Sequence, residues 1–285
     1  MTGQGKIVEI YDLWWKPYTA QELPFWIRIC SDYIKRNNIE EGELSLVELC
    51  SGTGRVLFPL IKELLLKYPY IKITAIGLDY SEDMNKIFRE KIKYESIVKD
   101  IIKVHTFDLR TKSWETVLKN RLVDIFIFPF NQFGLMGDPI AQENIVLNVS
   151  HYLTDGGIFT FVDYNPENRK LEDRLRKKIY RHMVSNDEKT LAIFYWREAW
   201  PLDNEHRYAG ITYAADCVLW LEEGLSFETL SATMTIFYNS PEQIDNLLKK
   251  YKLETVVRYG GYNDEPMTNE SYSQVVISRK ADSAR

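Results

Sequence analysis

Five short β-rich runs alternate with helix-period segments between residues 45 and 164, and this alternation constrains the fold more than any other feature. The runs are SLVELC (45–50), IKITAIGLD (71–79), IIKVHTFD (101–108), LVDIFIFPF (122–130) and DGGIFTFVDY (155–164). Helical spacing follows the first run to about Tyr68. Ser81 is placed to cap a second helix after Asp79, and a third covers 139–152. Parallel strands need long crossovers, and helices in those crossovers cover the sheet faces. LVDIFIFPF is almost wholly apolar, as a parallel strand buried on both faces must be. The pattern predicts an α/β fold with a doubly wound, mostly parallel sheet.

The flanking segments follow other rules. Residues 7–19 are aromatic and read as irregular, and a helix is expected over 22–37 with Pro24 near its start. After residue 164 the alternation stops. A basic helix over 168–183 is expected to lead into three antiparallel strands, with turns at Asp203-Asn204 and Glu223-Gly224. Ser240 and Pro241 then open a helix, and two strands close the chain. The expected organisation is an aromatic lid and helix (1–40), an α/β core (41–164), an antiparallel β insertion over the site (165–238), and a C-terminal part completing a seven-stranded sheet (239–285).

Charge and cysteine usage narrow the function classes. The 285-residue chain has a formal net charge of −5, which argues against nucleic acid as a partner. Cys30, Cys50 and Cys217 are widely spaced and form no metal-ligand pattern. With no charged-then-apolar leader and no run of membrane-spanning length, the expectation is a cytoplasmic protein with a small-molecule partner, no membrane association and a possible homodimeric state.

The first strand ends in Glu48, and Gly52 and Gly54 follow at once. A phosphate loop would need G-x-x-x-x-G-K-[ST], which is absent. A dinucleotide fingerprint would need a third glycine where Leu57 stands, so a nicotinamide site is disfavoured but stays open. S-adenosylmethionine (SAM) carries no phosphate and fits better. Glycines allow close approach to its amino-acid tail, Glu48 offers an acceptor for its ammonium group, and Asp79 one for its ribose hydroxyls. Asp108, flanked by Phe107 and Leu109, is an acceptor for the adenine amine.

These stretches resemble the class I SAM-dependent methyltransferases. VELCSGTGR, IGLDYSEDM, FDLR, VDIFIFPFNQFG and VSHYLTDGGIFTFVDYNPE carry the likeness in order over about 45–165. The tail RYGGYNDEPMTNESYSQVVISRK resembles the subgroup that methylates amines on sugars and other small metabolites. The resemblance implies a cofactor site formed by Glu48, Gly52, Thr53, Gly54, Asp79, Tyr80, Met84, Phe107, Asp108, Leu109, Pro129 and Phe130. It brings Tyr11 toward the methyl donor and has Asn131 facing the substrate, and these two are the expected catalytic residues. Substrate contacts are expected from Trp14, Trp15, Tyr18, Gln132, Phe133, Arg197, Trp200 and Trp220. Phe128-Pro129-Phe130-Asn131 stands where metal-dependent relatives carry acidic ligands, so no metal is expected. The implied activity is metal-independent methyl transfer to a nitrogen or oxygen of a small molecule. A SAM-binding protein without methyl transfer and a protein or peptide methyltransferase are the alternatives.

Overall fold

The computed structural model describes residues 6–39, 41–168, 179–183, 190–201, 207–221 and 224–280. Helix α1 spans Lys6–Arg36. The core then runs β1 (Gly42–Leu49), α2 (Leu57–Lys67), β2 (Ile71–Asp79), α3 (Glu82–Lys93), β3 (Ile102–Thr106), α4 (Glu115–Leu118), β4 (Val123–Phe128), α5 (Gln132–Leu135), α6 (Pro139–Tyr152) and β5 (Leu153–Tyr164). Strands β6 (Ile179–Met183), β7 (Thr190–Pro201), β8 (Tyr208–Leu221) and β9 (Gly224–Phe237) follow. Helix α7 (Pro241–Lys250), β10 (Leu253–Tyr259) and β11 (Ser273–Lys280) end the fold.

Seven strands form one sheet in the order β10-β11-β5-β4-β1-β2-β3. Strands β1 to β5 are parallel, and β11 runs antiparallel to both β5 and β10. The period of two along β1 divides the core. Leu44 and Leu46 pack with Phe25, Trp26, Leu57 and Phe88 from α1, α2 and α3. Val47 and Leu49 pack on the opposite face with Trp114, Val149 and Leu248 from the α4 segment, α6 and α7. Chain order reverses between β1 and β4, which opens a crevice at their C-terminal ends. Strands β6 to β9 form a separate antiparallel sheet. No helix among the described residues is long and apolar enough to cross a membrane.

Two expectations need correction. Residues 7–19 are not irregular: α1 is one helix of 31 residues with Pro17 and Pro24 inside it. A proline within a helix removes one backbone hydrogen bond, but burial of Trp15, Phe25, Trp26 and Ile29 along this helix offsets that loss. Residues 179–183 are not helical either. They form β6, paired to β7 from Ile179 opposite Arg197 to Met183 opposite Ile193. Pairing with a neighbour overrides the helical charge pattern there. The rest of that expected helix (169–178), the Asp203-Asn204 turn and Glu223 lie outside the described residues.

Buried Asp163 ties the end of β5 to the return from the second sheet. Its Oδ2 accepts from Asn239 Nδ2 at 2.9 Å and its Oδ1 from the Tyr164 N–H at 2.8 Å. A Cβ on Gly134 would lie 2.5 Å from Oδ1, so α5 packs this closely only with glycine there. Burial pushes the Asp163 carboxyl up to about 7, against hydrogen bonds from Asn239, Tyr164 and Gly134 that pull it down. An unfolded aspartate titrates near ~3.9. The native state therefore holds the extra proton between these values, and this contribution to stability is full below about pH 4 and lost as pH rises through 7. Urea midpoints from pH 4.5 to 7.5 should show wild type losing stability relative to Asp163→Asn. A constant difference across that range would contradict this account.

Candidate active site

The turn after β1 needs backbone that few side chains tolerate. Cys50, Gly52 and Gly54 all have positive φ, at 54°, 53° and 74°. The two glycines have different reasons. A Cβ on Gly54 would sit 2.1 Å from the Phe88 ring of α3, so this glycine permits helix packing. A Cβ on Gly52 would meet only Tyr11 Cε1 at 3.9 Å, so Gly52 leaves its space open. Asp79, at the end of β2, fixes this turn. Its Oδ2 accepts from the Gly52 N–H and its Oδ1 from the Ser81 N–H, both at 2.8 Å. Ser81 in turn caps α3 by accepting from the Met84 N–H.

These exits surround a cavity of about 390 Å³. Gly52 and Asp79 line it, with Tyr80, Met84, Phe107, Asp108 and Leu109 along one side. Tyr11, Trp15, Phe130 and Gln132 close the other. Trp15 meets Phe130 edge-on at 4.2 Å between ring centroids. Tyr18 meets both rings edge-on, 5.2 Å from Trp15 and 6.2 Å from Phe130. Met234 of β9 also borders the cavity, so the second sheet reaches it.

Several expected residues lie elsewhere. Glu48 is buried behind the turn, where its Oε2 accepts from the Leu57 N–H at 3.0 Å. It satisfies the N-terminus of α2, and burial raises its carboxyl well above the usual range against opposition from Arg55 and that N–H. Thr53 is fully buried and its hydroxyl pairs with Asp12, which also binds Lys91. Phe133 is a core residue packed on Phe128 and Phe161. Asn131 is buried at the start of α5 in the left-handed region, with its Oδ1 unpartnered among the described residues. Neither Asn131 nor Pro129 lines the cavity. Arg197 and Trp200 stand on β7 and Trp220 on β8, while their side chains and that of Trp14 lie outside the described set.

The cavity also contains residues that the motif reading passed over: Cys50, Arg110, Leu135, Met136 and Met234. Arg110 stands inside FDLR, so its position was available. Met234 comes from a distant strand, and local sequence holds no sign of it.

A buried ion pair supports the aromatic wall. Arg55, in the turn, pairs with Glu22 of α1, their side chains 8% and 1% exposed. Glu22 also accepts from Trp26 Nε1 and the Tyr262 hydroxyl, each at 3.1 Å. The Arg55 guanidinium lies 5.5 Å from the Phe130 ring centroid and donates to Thr19 Oγ1 at 2.9 Å. Burial pushes the neighbouring Tyr11 hydroxyl up to about 12, with Arg55 opposing and Asp79, Asp12 and Glu22 reinforcing. Tyr11 is thus a neutral phenol at pH 7. It can donate a hydrogen bond but does not serve as a base there.

No family model and no curated protein sequence matches this chain. Its fold is shared with solved SAM-dependent methyltransferases. One from Clostridium acetobutylicum is 17% identical, with a TM-score of 0.69 over 97% of this chain and 98% of that one. CalS10, a SAM-bound amino pentose methyltransferase from Micromonospora echinaspora, is 12% identical, with a TM-score of 0.65 over 95% and 97%. DesVI from Streptomyces venezuelae is 14% identical, with a TM-score of 0.65 over 94% and 96%. At these identities the likeness establishes the fold.

Removing one partner of the buried pair leaves the other charge without compensation. Arg55→Met should cost ~3–5 kcal/mol in urea unfolding, and adding Glu22→Met should recover part of that loss. Additive losses in the double variant would exclude the coupling.

Proposed function

We propose that this chain is a metal-independent methyltransferase that binds SAM in the cavity at the switch point and methylates a small molecule. The observation that carries the reading is the convergence of four strand exits on one cavity. Asp79 and Asp108 stand in its wall, an open glycine backbone lies between, and an aromatic cluster closes the end toward α1. The group fits these residues. Its ribose hydroxyls and adenine amine are donors, and the two carboxylates are acceptors. Gly52 leaves room for its amino-acid tail. When bound, SAM supplies a methyl group on a sulfonium that departs as a neutral thioether.

The chain's own residues would align the acceptor and exclude water. Tyr11, Trp15 and Phe130 present aromatic surface toward the donor end. Aromatic faces attract cations by ~0.5–2 kcal/mol per ring. Tyr11 stays protonated, so it does not remove a proton from the acceptor. This favours a neutral amine over a hydroxyl, because the amine attacks with its lone pair and releases its proton to water afterwards. A sugar amine or similar metabolite is the substrate class supported by CalS10 and by KedS8, a sugar N-methyltransferase with a TM-score of 0.64 and 14% identity. Residues 165–238 are read as the substrate-covering part, in keeping with Met234 at the cavity.

Thermal unfolding with S-adenosylhomocysteine, SAM and NAD tests the reading. A ligand at a hundred times its dissociation constant adds ~2.7 kcal/mol of stability. The adenosyl ligands should raise the midpoint and NAD should not. Asp79→Ala should lose that gain while keeping its far-UV circular dichroism. Labelled methyl transfer from SAM to a panel of amino sugars should then give product. Stabilisation by NAD alone would overturn the reading.

A further inference from the structure

Arg110 borders the cavity beside Asp108 and Tyr80. An ionised carboxylate offers about four acceptor sites. Arg110 fills three of those on Asp108. Its backbone N–H and Nε reach Oδ1 at 3.0 and 2.8 Å, and its Nη2 reaches Oδ2 at 2.7 Å. Among the described residues no other donor reaches Asp108, which leaves one site on Oδ2. The same guanidinium lies 5.6 Å from the Tyr80 ring centroid, so the ring braces it in place. A planar two-point fork on a carboxylate fixes orientation as well as charge, which a lysine cannot do.

We propose that Arg110 is a positioning residue that makes Asp108 a single-acceptor site, and so selects an adenine over a 6-oxopurine in the cavity. The inference rests on the SAM reading and adds a source of base specificity to it. Position 6 of adenine carries an amine that donates. Hypoxanthine carries a carbonyl there, which accepts and would face the remaining carboxylate oxygen without a proton between them. Its only ring donor on that edge is the adjacent N1–H. A carboxylate released from Arg110 can turn to meet that N1–H, whereas one held at three of its four sites cannot. Arg110 thus favours the correct base chiefly by denying the wrong one a partner.

The test is calorimetric titration of wild type, Arg110→Ala and Arg110→Lys with S-adenosylhomocysteine and with its deaminated inosyl analogue. Wild type should prefer the adenosyl compound by about tenfold or more, a loss of ~1.4 kcal/mol when this partly exposed carboxylate meets a mismatched edge. Arg110→Ala should weaken adenosyl binding severalfold and bring the preference close to one. Arg110→Lys should fall between, since it keeps the charge and loses the fork. The Arg110 side chain is 53% exposed, so its truncation leaves the core intact, and unchanged circular dichroism checks this. A merely structural arginine would weaken both ligands equally. Equal weakening, or full retention of the preference in Arg110→Ala, would overturn the proposal. Wild type binding neither compound would overturn the SAM reading, and this proposal with it.

Discussion

The Asp79 carboxylate is the contact on which the site depends. Its two oxygens accept from backbone N–H groups in different loops, Gly52 after β1 and Ser81 after β2. One side chain therefore sets the separation of two strand exits. Burial disfavours the charged form, and the two N–H bonds oppose that effect. Any ligand contact with this acid works through a group whose position the backbone has already fixed. The open space above Gly52 exists because its N–H is turned toward Asp79 and its φ is held at 53°.

The parallel sheet was legible because its signals are local and redundant. Each strand carries a run of β-formers, three of the four crossovers a 3.6 period, and Ser81, Ser240 and Pro241 mark helix starts that the structure retains. Helix α1 runs through the stretch 7–19 that reads as irregular, with Pro17 inside it. Yet Tyr11, Trp15, Tyr18, Glu22, Phe25 and Ile29 recur at steps of three and four. That stripe was a stronger signal than the proline, since tertiary burial outweighs one lost hydrogen bond. Strand β6 shows the reverse case, a charged segment whose conformation depends on a neighbour that local sequence does not name.

Motif residues divide by whether they border the cavity or support the turns around it. Gly52 and Gly54 look alike in sequence, but one borders the cavity and the other accommodates Phe88. Glu48 stands one residue before the end of β1, and Asp79 ends β2. Glu48 turns into the protein to receive the Leu57 N–H, while Asp79 stays in the cavity wall. Sequence spacing fixed which exits converge. It could not fix which side of each turn a side chain takes, because φ beyond the glycines decides that. Positive φ at Cys50, Phe130 and Asn131 is the missing information. It turns Phe130 toward Trp15 and leaves Asn131 buried.

The aromatic wall of the cavity is tied into the fold at several points. Tyr11 and Trp15 belong to the same helix as Phe25 and Trp26, which are buried in the main core. Glu22 and Arg55 join that helix to the glycine turn, and Tyr262 joins it to the C-terminal segment. Burying such a pair is costly to the fold unless its remaining donors and acceptors are satisfied. Here Trp26 and Tyr262 donate to Glu22, and Thr19 accepts from Arg55. The polar cluster therefore contributes less to net stability than to geometry. It fixes the helix that carries the wall against the turn that carries Gly52, so the two sides of the cavity hold one relative position.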